Sequence, residues 1–424
     1  MQKIADEKLK VILGGVNLGT ENFDYTMSEL AQLAAANNLD VVDTIVQNSD
    51  KIIAGTYFGT GKVTDIKETA QDTDAKLLVL NDELTPSQIR NLENLTKLYV
   101  IDRTGLILRI FADRAQTKLA KTQVEIARLQ YELPRIHPSS NPLDQQSASG
   151  GLANRGAGET QLELDRRVLR KRISRLQNEL KQLMQSQDVQ SKERQKSLIP
   201  KVALVGYTNA GKSTIMNALL AHYDQDAAEK QVMVKDMLFA TLDTSVRQIN
   251  LPNQLSFLLS DTVGFVSKLP HNLVESFKAT LAEASNADLL LHVVDYANPN
   301  YQEMMDVTDK VLHQLGITDI PVIEVYNKAD KTDMTYPTVT GNEIYLSAKD
   351  DASIERLSDM IQQRLFANNP VVTLLIPFTK GNVTEYVTSH ARIIDRDYTN
   401  DGTQLKVQLA PEVLGKVKAY VVTE

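Results

Sequence analysis

The run Gly206-Tyr207-Thr208-Asn209-Ala210-Gly211-Lys212-Ser213 sets two glycines ahead of a Lys-Ser pair with four residues between them. Glycines let a loop curl so that successive backbone N–H groups point at the oxygens of a phosphate chain. Lys212 adds a point charge for the β- and γ-phosphates. The Ser213 hydroxyl offers an oxygen to Mg2+, which takes octahedral oxygen ligation shared with phosphate. The chemistry served by this spacing is binding of a nucleoside triphosphate. Its context agrees, because an apolar strand-like run (201–205) precedes the loop and an amphipathic segment (214–220) follows it.

Residues downstream select the base. The apolar run 255–259 leads into Asp261-Thr262-Val263-Gly264. An aspartate there closes a Mg2+ shell, and the glycine N–H reaches the γ-phosphate. A second apolar run, 322–326, ends in Asn327-Lys328-Ala329-Asp330. The Asp330 carboxylate suits the two donors on guanine N1 and its 2-amino group, a pair that adenine lacks. Ser347-Ala348-Lys349 follows another strand, where a backbone N–H can meet guanine O6. The expected contacts are therefore Gly206 through Ser213 (Gly206, Tyr207, Thr208, Asn209, Ala210, Gly211, Lys212, Ser213) and Thr214 on the phosphates, with Asp261 and Gly264 beside them. Asn327, Lys328, Asp330, Ser347, Ala348 and Lys349 surround the base. A switch loop must lie between 220 and 246. Its candidate is Phe239-Ala240-Thr241-Leu242-Asp243, where Phe239 would touch the nucleotide and Thr241, ahead of Thr244, would join Ser213 and Asp261 around the metal. Lys212, Thr241 and Gly264 are the expected catalytic groups. The position after Gly264 is Phe265, which cannot hydrogen-bond an attacking water, so hydrolysis should be slow without a partner. Asn209 is a candidate ligand for a monovalent cation such as K+, against the plainer role of stabilising its loop.

Positioning these residues takes several domains, as 424 residues exceed one ordinary core. Residues 1–103 alternate buried-strand runs with polar-faced helices, the pattern of a parallel α/β layer. Within them Gly55 to Val63 imitates a second phosphate loop. It lacks the glycine and hydroxyl needed and is expected to be a loop entering a helix. In 104–198 a heptad seam runs through Ala112, Ala115, Leu119, Thr122, Ile126, Leu129 and Leu133. A second runs through Leu162, Arg166, Leu169, Ile173, Leu176, Leu180 and Leu183, so an antiparallel helical hairpin is expected. The joining stretch 134–158 is rich in Pro, Ser, Asn and Gly, and 185–197 reads as a linker. Residues 199–368 form the nucleotide-binding domain and 369–424 a small α+β module, where Asn400-Asp401-Gly402 marks a hairpin.

Composition excludes several classes. No cysteine means no disulfide framework and no thiolate chemistry, and the six histidines form no metal-binding pair. No run is apolar enough to span a membrane, and the amino terminus lacks the features of a secretory signal, so a cytoplasmic protein is expected. The net charge is −8, yet residues 103–200 hold 18 Lys and Arg against 10 Asp and Glu. Arg166, Arg167, Arg170, Lys171, Arg172 and Arg175 crowd one short stretch, a footprint suited to a polyanion.

These motifs resemble the HflX GTPases. The likeness lies in 206–214, in Leu238-Phe-Ala-Thr-Leu-Asp243, in Asp261-Thr-Val-Gly-Phe265, in Leu269-Pro-His271 and Phe277-Lys-Ala-Thr280, and in the glycine-rich Arg155-Gly-Ala-Gly-Glu-Thr-Gln-Leu-Glu163. Thr244 and Ala157 stand where the family commonly has proline, which bears on loop rigidity. The resemblance covers the whole chain. It implies a Mg2+-dependent GTPase, a monomer that binds GTP and GDP. It further implies association with rRNA and proteins of the large ribosomal subunit, stimulation of hydrolysis there, and splitting of stalled or hibernating ribosomes. The competing reading is a GTP-dependent switch whose hairpin docks a non-ribosomal protein. A third, weaker one puts a further nucleotide site in the amino-terminal domain.

Overall fold

Leu77-Leu78-Val79-Leu80 is apolar at every position, as a strand covered on both faces must be, and it lies inside a parallel sheet. The computed structural model describes residues 8–20, 22–136, 153–195, 199–223, 238–239, 245–251, 255–268, 282–367 and 369–422, with side chains over 163–185 of the longest helix. Contacts divide the chain into two compact units. One takes in 1–187, 237–242 and 267–278, the other 188–236, 243–266 and 279–424.

In the first unit β1 (Leu9–Asn17), β2 (Leu39–Asn48), β3 (Leu77–Leu80) and β4 (Tyr99–Asp102) form an all-parallel sheet in the order β2-β1-β3-β4. Between them run α1 (Phe23–Ala36), α2 (Thr60–Thr73) and α3 (Pro86–Thr96). The Gly55 to Val63 stretch is a loop that ends in α2, with Gly59 at its N-cap. Thr85 and Gln88 close a reciprocal cap on α3, which fixes where that helix starts. Ile12, Phe58, Ile66, Leu78 and Leu92 form the core on one face.

The first heptad seam is not one helix. α4 (Arg103–Arg114) starts directly at the end of β4, capped by Asp102, which accepts from Gly105 N–H at 2.9 Å. The chain then breaks at Ala115, and α5 (Lys118–Glu132) restarts under a Thr117 cap that accepts from Ala120 N–H at 3.1 Å. A hydroxyl at 117 satisfies an orphan donor that a continuous helix would not have, and Ala112 is exposed instead of seated in the seam. From Leu119 to Leu129 the seam is buried as expected. α6 (Ala153–Gln195) spans 43 residues. It therefore takes up most of the stretch read as a linker, and also the glycine-rich 155–163. Its Leu169, Ile173, Leu176, Leu180 and Leu183 are all buried or half-buried on a helix that is otherwise mostly exposed.

A buried charge anchors this unit. Arg103 is 1% exposed and pairs with Glu29, itself 2% exposed. Its other donors go to Asn81 Oδ1 at 3.0 Å and to the carbonyls of Thr26 at 3.1 Å and Ser267 at 3.2 Å. Nearby, Lys268 pairs with Asp82, which also accepts from the Tyr57 hydroxyl.

The second unit holds a seven-stranded sheet. Its strands are β5 (Lys201–Gly206), β6 (Ser245–Asn250), β7 (Ser256–Asp261), β8 (Leu289–Asp295), β9 (Val322–Asn327), β10 (Thr338–Thr340) and β11 (Glu343–Tyr345), in the order β10-β11-β9-β8-β5-β7-β6. Only the two edge pairs are antiparallel. α7 (Lys212–Tyr223) and α9 (Asp351–Phe366) cover one face over Leu204, Phe257, Leu291 and Val325, while α8 (Tyr301–Gln314) lies on the other. The carboxy-terminal strands β12 (Val371–Ile376), β13 (Ala391–Thr399) and β14 (Gly402–Leu409) pair antiparallel as β12-β14-β13. α10 (Gly381–His390) and α11 (Pro411–Val417) close a separate core on that sheet. The Asn400-Asp401-Gly402 turn joins β13 to β14 as expected.

Removing one partner from a buried, hydrogen-bonded ion pair strands the other charge and costs about 3–5 kcal/mol. Glu29→Gln should lower the unfolding free energy of the first unit by that order in urea titrations. A change under about 1 kcal/mol would mean that Arg103 is held adequately by Asn81 and the carbonyls alone.

Candidate functional site

β5 lies between β8 and β7, where the strand order changes direction, and its carboxyl end is where an open α/β sheet leaves a crevice for ligands. The 206–213 loop runs from that end into α7. It is held in place by the segment that follows Asp261: Thr208 N–H donates to Phe265 O at 2.8 Å, and Phe265 N–H to Gly206 O at 3.2 Å. A side chain at Gly264 would have its Cβ 2.7 Å from Thr208 Cα and 2.8 Å from Lys212 Nζ, so only glycine fits between loop and lysine. Phe265 is buried and holds its place through backbone bonds, in keeping with a residue that cannot orient water.

Lys212 is buried at the loop's centre, and its Nζ donates to the carbonyls of Gly206 at 3.0 Å and Tyr207 at 2.7 Å. Burial pulls its pKa down to about 8, against the opposing pull of Asp261. Ser213 Oγ donates to Asp261 Oδ2 at 2.6 Å. That pair joins a hydroxyl and a carboxylate, both hard oxygens, at the point where loop meets strand end. Such a donor set fits Mg2+ with the remaining positions taken by phosphate and water.

Asn327 ties three segments together. Its Nδ2 donates to Ala210 O at 2.9 Å, and its Oδ1 accepts from Ala348 N–H at 3.0 Å. The Asn327 side chain is thus a brace between the phosphate loop and the 347–349 segment. Gly211, at φ +102°, must remain glycine, since a Cβ there would lie 2.2 Å from Asn327 Nδ2. Lys328 reaches across the loop, donating to Asn209 O at 2.8 Å and pairing with Asp295 at 2.7 Å. Asp330 is exposed on the short turn Ala329–Lys331, and Ser347, Ala348 and Lys349 follow β11 beside it. Asn209 has a left-handed φ of +61°, and its side chain is exposed at the rim of the loop.

Two expectations fare differently. Phe239, expected at the nucleotide, is buried with its ring edge-on to Phe111, centroids 4.6 Å apart. Thr241, Asp243 and Thr244 lie outside the described residues. Asp295 was missed. The available signal was an apolar strand, Leu289 to Val294, that ends in a carboxylate at the sheet's ligand-binding edge.

This loop, brace and carboxylate pair at the ends of parallel strands define a guanine-nucleotide-binding P-loop GTPase. Three family models match in chain order: a GTP-binding GTPase amino-terminal region over 24–112, a GTP-binding GTPase middle region over 114–194, and a 50S ribosome-binding GTPase domain over 201–328. The GTPase HflX of Caldanaerobacter subterraneus subsp. tengcongensis is 39% identical over 423 residues, covering 100% of this chain and 96% of its own. That of Escherichia coli K12 is 38% identical over 364 residues, covering 84% and 83%. The chain belongs to the HflX family of GTPases; it binds GTP and GDP and hydrolyses GTP. A crystal structure of a GTP-binding protein from the archaeon Sulfolobus solfataricus in complex with GDP matches 84% of this chain and 98% of its own at 24% identity. Its TM-score is 0.43, which leaves the fold assignment to the topology and the family models. No helix among the described residues is long and apolar enough to cross a membrane.

The lysine carries a pH signature. Its ordinary pKa is 10.5 and its value in the empty loop about 8, so between these the empty site holds neutral Lys212 while phosphate favours the ammonium. Binding should then take up a proton, and affinity should fall above about pH 8, by at most about tenfold per pH unit. In the same window the unfolded chain binds more protons than the folded one, so this group's penalty on empty-chain stability is relieved as pH rises. Calorimetry in two buffers of different ionisation enthalpy checks the uptake. Identical heats in both buffers above that pH would rule out a neutral lysine.

Proposed function

We propose that this protein is a cytoplasmic, ribosome-associated GTPase that binds the large ribosomal subunit and, in its GTP form, splits stalled or hibernating ribosomes. Lys212 and the loop amides bind the phosphates, while Ser213, Asp261 and Thr241 hold Mg2+. Gly264 reaches the γ-phosphate and Asp330 reads guanine. Asn209 takes a potassium ion that supplies positive charge to the transferring phosphate, so the four segments 1–103, 104–198, 199–368 and 369–424 serve one switch.

The observation that supports the ribosomal reading most is the outer face of α6. Arg167, Arg170, Lys171 and Arg175 are exposed there, along a helix stiffened by its seam with α5. rRNA phosphates are the natural ligand of such a face. Arg172 is partly committed inward, pairing with Glu125 at 2.7 Å, and Lys118 pairs with Glu179 at 2.8 Å. Those pairs are what a hairpin that docks a non-ribosomal protein would also show, but they give no reason for four further cations on the outer face. The match to a 50S ribosome-binding GTPase family model adds support.

Sedimentation with purified large subunits in a non-hydrolysable GTP analogue tests the proposal. Co-migration should be salt-sensitive. Changing Arg167, Arg170, Lys171 and Arg175 to Ser should flatten the log–log salt slope by about 0.7–0.9 for each phosphate no longer neutralised, with basal hydrolysis intact. Absence of co-migration at any salt would sink the ribosomal reading. In steady-state assays, Asp330→Asn should lower kcat/KM for GTP by about 10- to 100-fold. The unmodified chain should turn over faster in potassium than in sodium, and equal rates would remove the cation from the mechanism.

A further inference from the structure

α8 covers only part of its face of the seven-stranded sheet. Leu312 and the residues after it pack on Ala203, Val205 and Leu290, over β5 and β8. The link from β9 to β11 carries a short turn and the β10 hairpin, with no α-helix among its residues, so the strip formed by β9, β11 and β10 gains no helical cover from it.

Two cross-strand rows line that strip on the α8 side. One reads Thr338, Tyr345, Tyr326, Val294, and the other Thr340, Glu343, Glu324, His292. The Tyr326 and Tyr345 rings stack with centroids 4.6 Å apart and planes at 10°. Tyr296 stands edge-on to both, at 5.7 Å and 5.1 Å, and Tyr301 meets Tyr326 at 6.1 Å. Tyr296, Tyr301, Tyr345, Glu324 and Glu343 are all half-buried. The Tyr345 hydroxyl lies 3.5 Å from Glu343 Oε2, and burial first, then Glu343, Tyr345 and Glu324, push the Tyr326 hydroxyl up to about 12. His292 Nδ1 lies 2.9 Å from Glu324 Oε2, and neither row contains Lys or Arg.

A strip that only completed the core would be aliphatic. This one joins four electron-rich ring systems to two carboxylates, which is the chemistry that holds a guanidinium by stacking and by paired hydrogen bonds. Phosphate would be repelled, so nucleic acid is the wrong ligand. We infer that Tyr296, Tyr301, Tyr326, Tyr345, Glu324 and Glu343 form a docking site for an arginine-bearing segment of a basic protein partner. The site adjoins the base-recognition loop, since Tyr326 precedes Asn327 and Tyr296 N–H donates to Asn327 O at 2.9 Å. It stands independently of the ribosomal reading.

With 14 tyrosines and no tryptophan, the full chain labelled with fluorotyrosine reports directly by fluorine NMR. In the GDP-bound protein, titration with an octa-arginine peptide should shift the resonances of the four tyrosines, assigned by single Tyr→Phe variants. Glu343→Gln and Tyr301→Leu should each weaken binding about fivefold and leave circular dichroism and GTP turnover unchanged. Three outcomes overturn the inference: no shift with octa-arginine, equal shifts with octa-lysine that the variants do not alter, or stronger shifts with oligouridylate. A chain that sediments with ribosomes but ignores the peptide sinks this inference alone; the reverse result sinks only the ribosomal one.

Discussion

The carboxamide of Asn327 holds the phosphate loop and the base loop at one distance from each other. One end accepts from Ala348 and the other donates to Ala210. A carboxamide is the smallest side chain that offers a donor and an acceptor on opposite corners. Its replacement by Asp or Leu would leave a buried backbone group without a partner on one side or both. The fit allows no added atom, because Gly211 has no room for a Cβ against Asn327 Nδ2. The Lys328 bridge from Asp295 to Asn209 repeats the connection from outside. The 206–213 loop and the 347–349 segment are therefore built on a shared frame, so a change at Asn327 disturbs both at once.

A second constraint lies in the first unit, where Arg103 spends its donors on Glu29, Asn81 and two carbonyls. The residue closes the start of α4 against α1, and it holds the carbonyl of Ser267 as well. A lysine could supply the charge but not the planar fork that serves several acceptors at once. Burying so much polarity is costly, and the geometry that offsets the cost leaves one arrangement of these segments far better than its neighbours.

Much of this was legible in the sequence, and the reasons differ by element. Phosphate loops and their strand ends are visible because the chemistry demands particular residues at fixed spacing: Gly211, Lys212, Ser213, Asp261 and Asp330 all fall at the sheet edge where they were placed. The parallel sheet of the first unit was visible in its short apolar runs. The break at Ala115 was not, since a capping threonine inside a heptad seam changes the backbone without changing the apolar period. α6 ran on past Gln185 because polar residues with good helix propensity look the same in a linker and on a solvated helix. The packing of Phe239 on Phe111 was not legible for another reason: the two rings lie more than a hundred positions apart, and no local pattern encodes their contact. The bracing bonds of Asn327 to Ala210 and Ala348 were not legible, because only distances reveal them.

The length of α6 carries a restriction on how such a chain can change over time. Each residue added to or removed from an α-helix turns everything beyond it by about 100°. The seam through Leu169, Ile173 and Leu176 and the cationic face beside it are locked in phase on one rod. A single deletion between seam and tip would swing the distal part off its bearing, while seven residues, about 10.5 Å, return it within about 20°. Reach and aim are thus a coupled pair, and the rod can be lengthened or shortened only in steps, like a screw that must advance by whole threads.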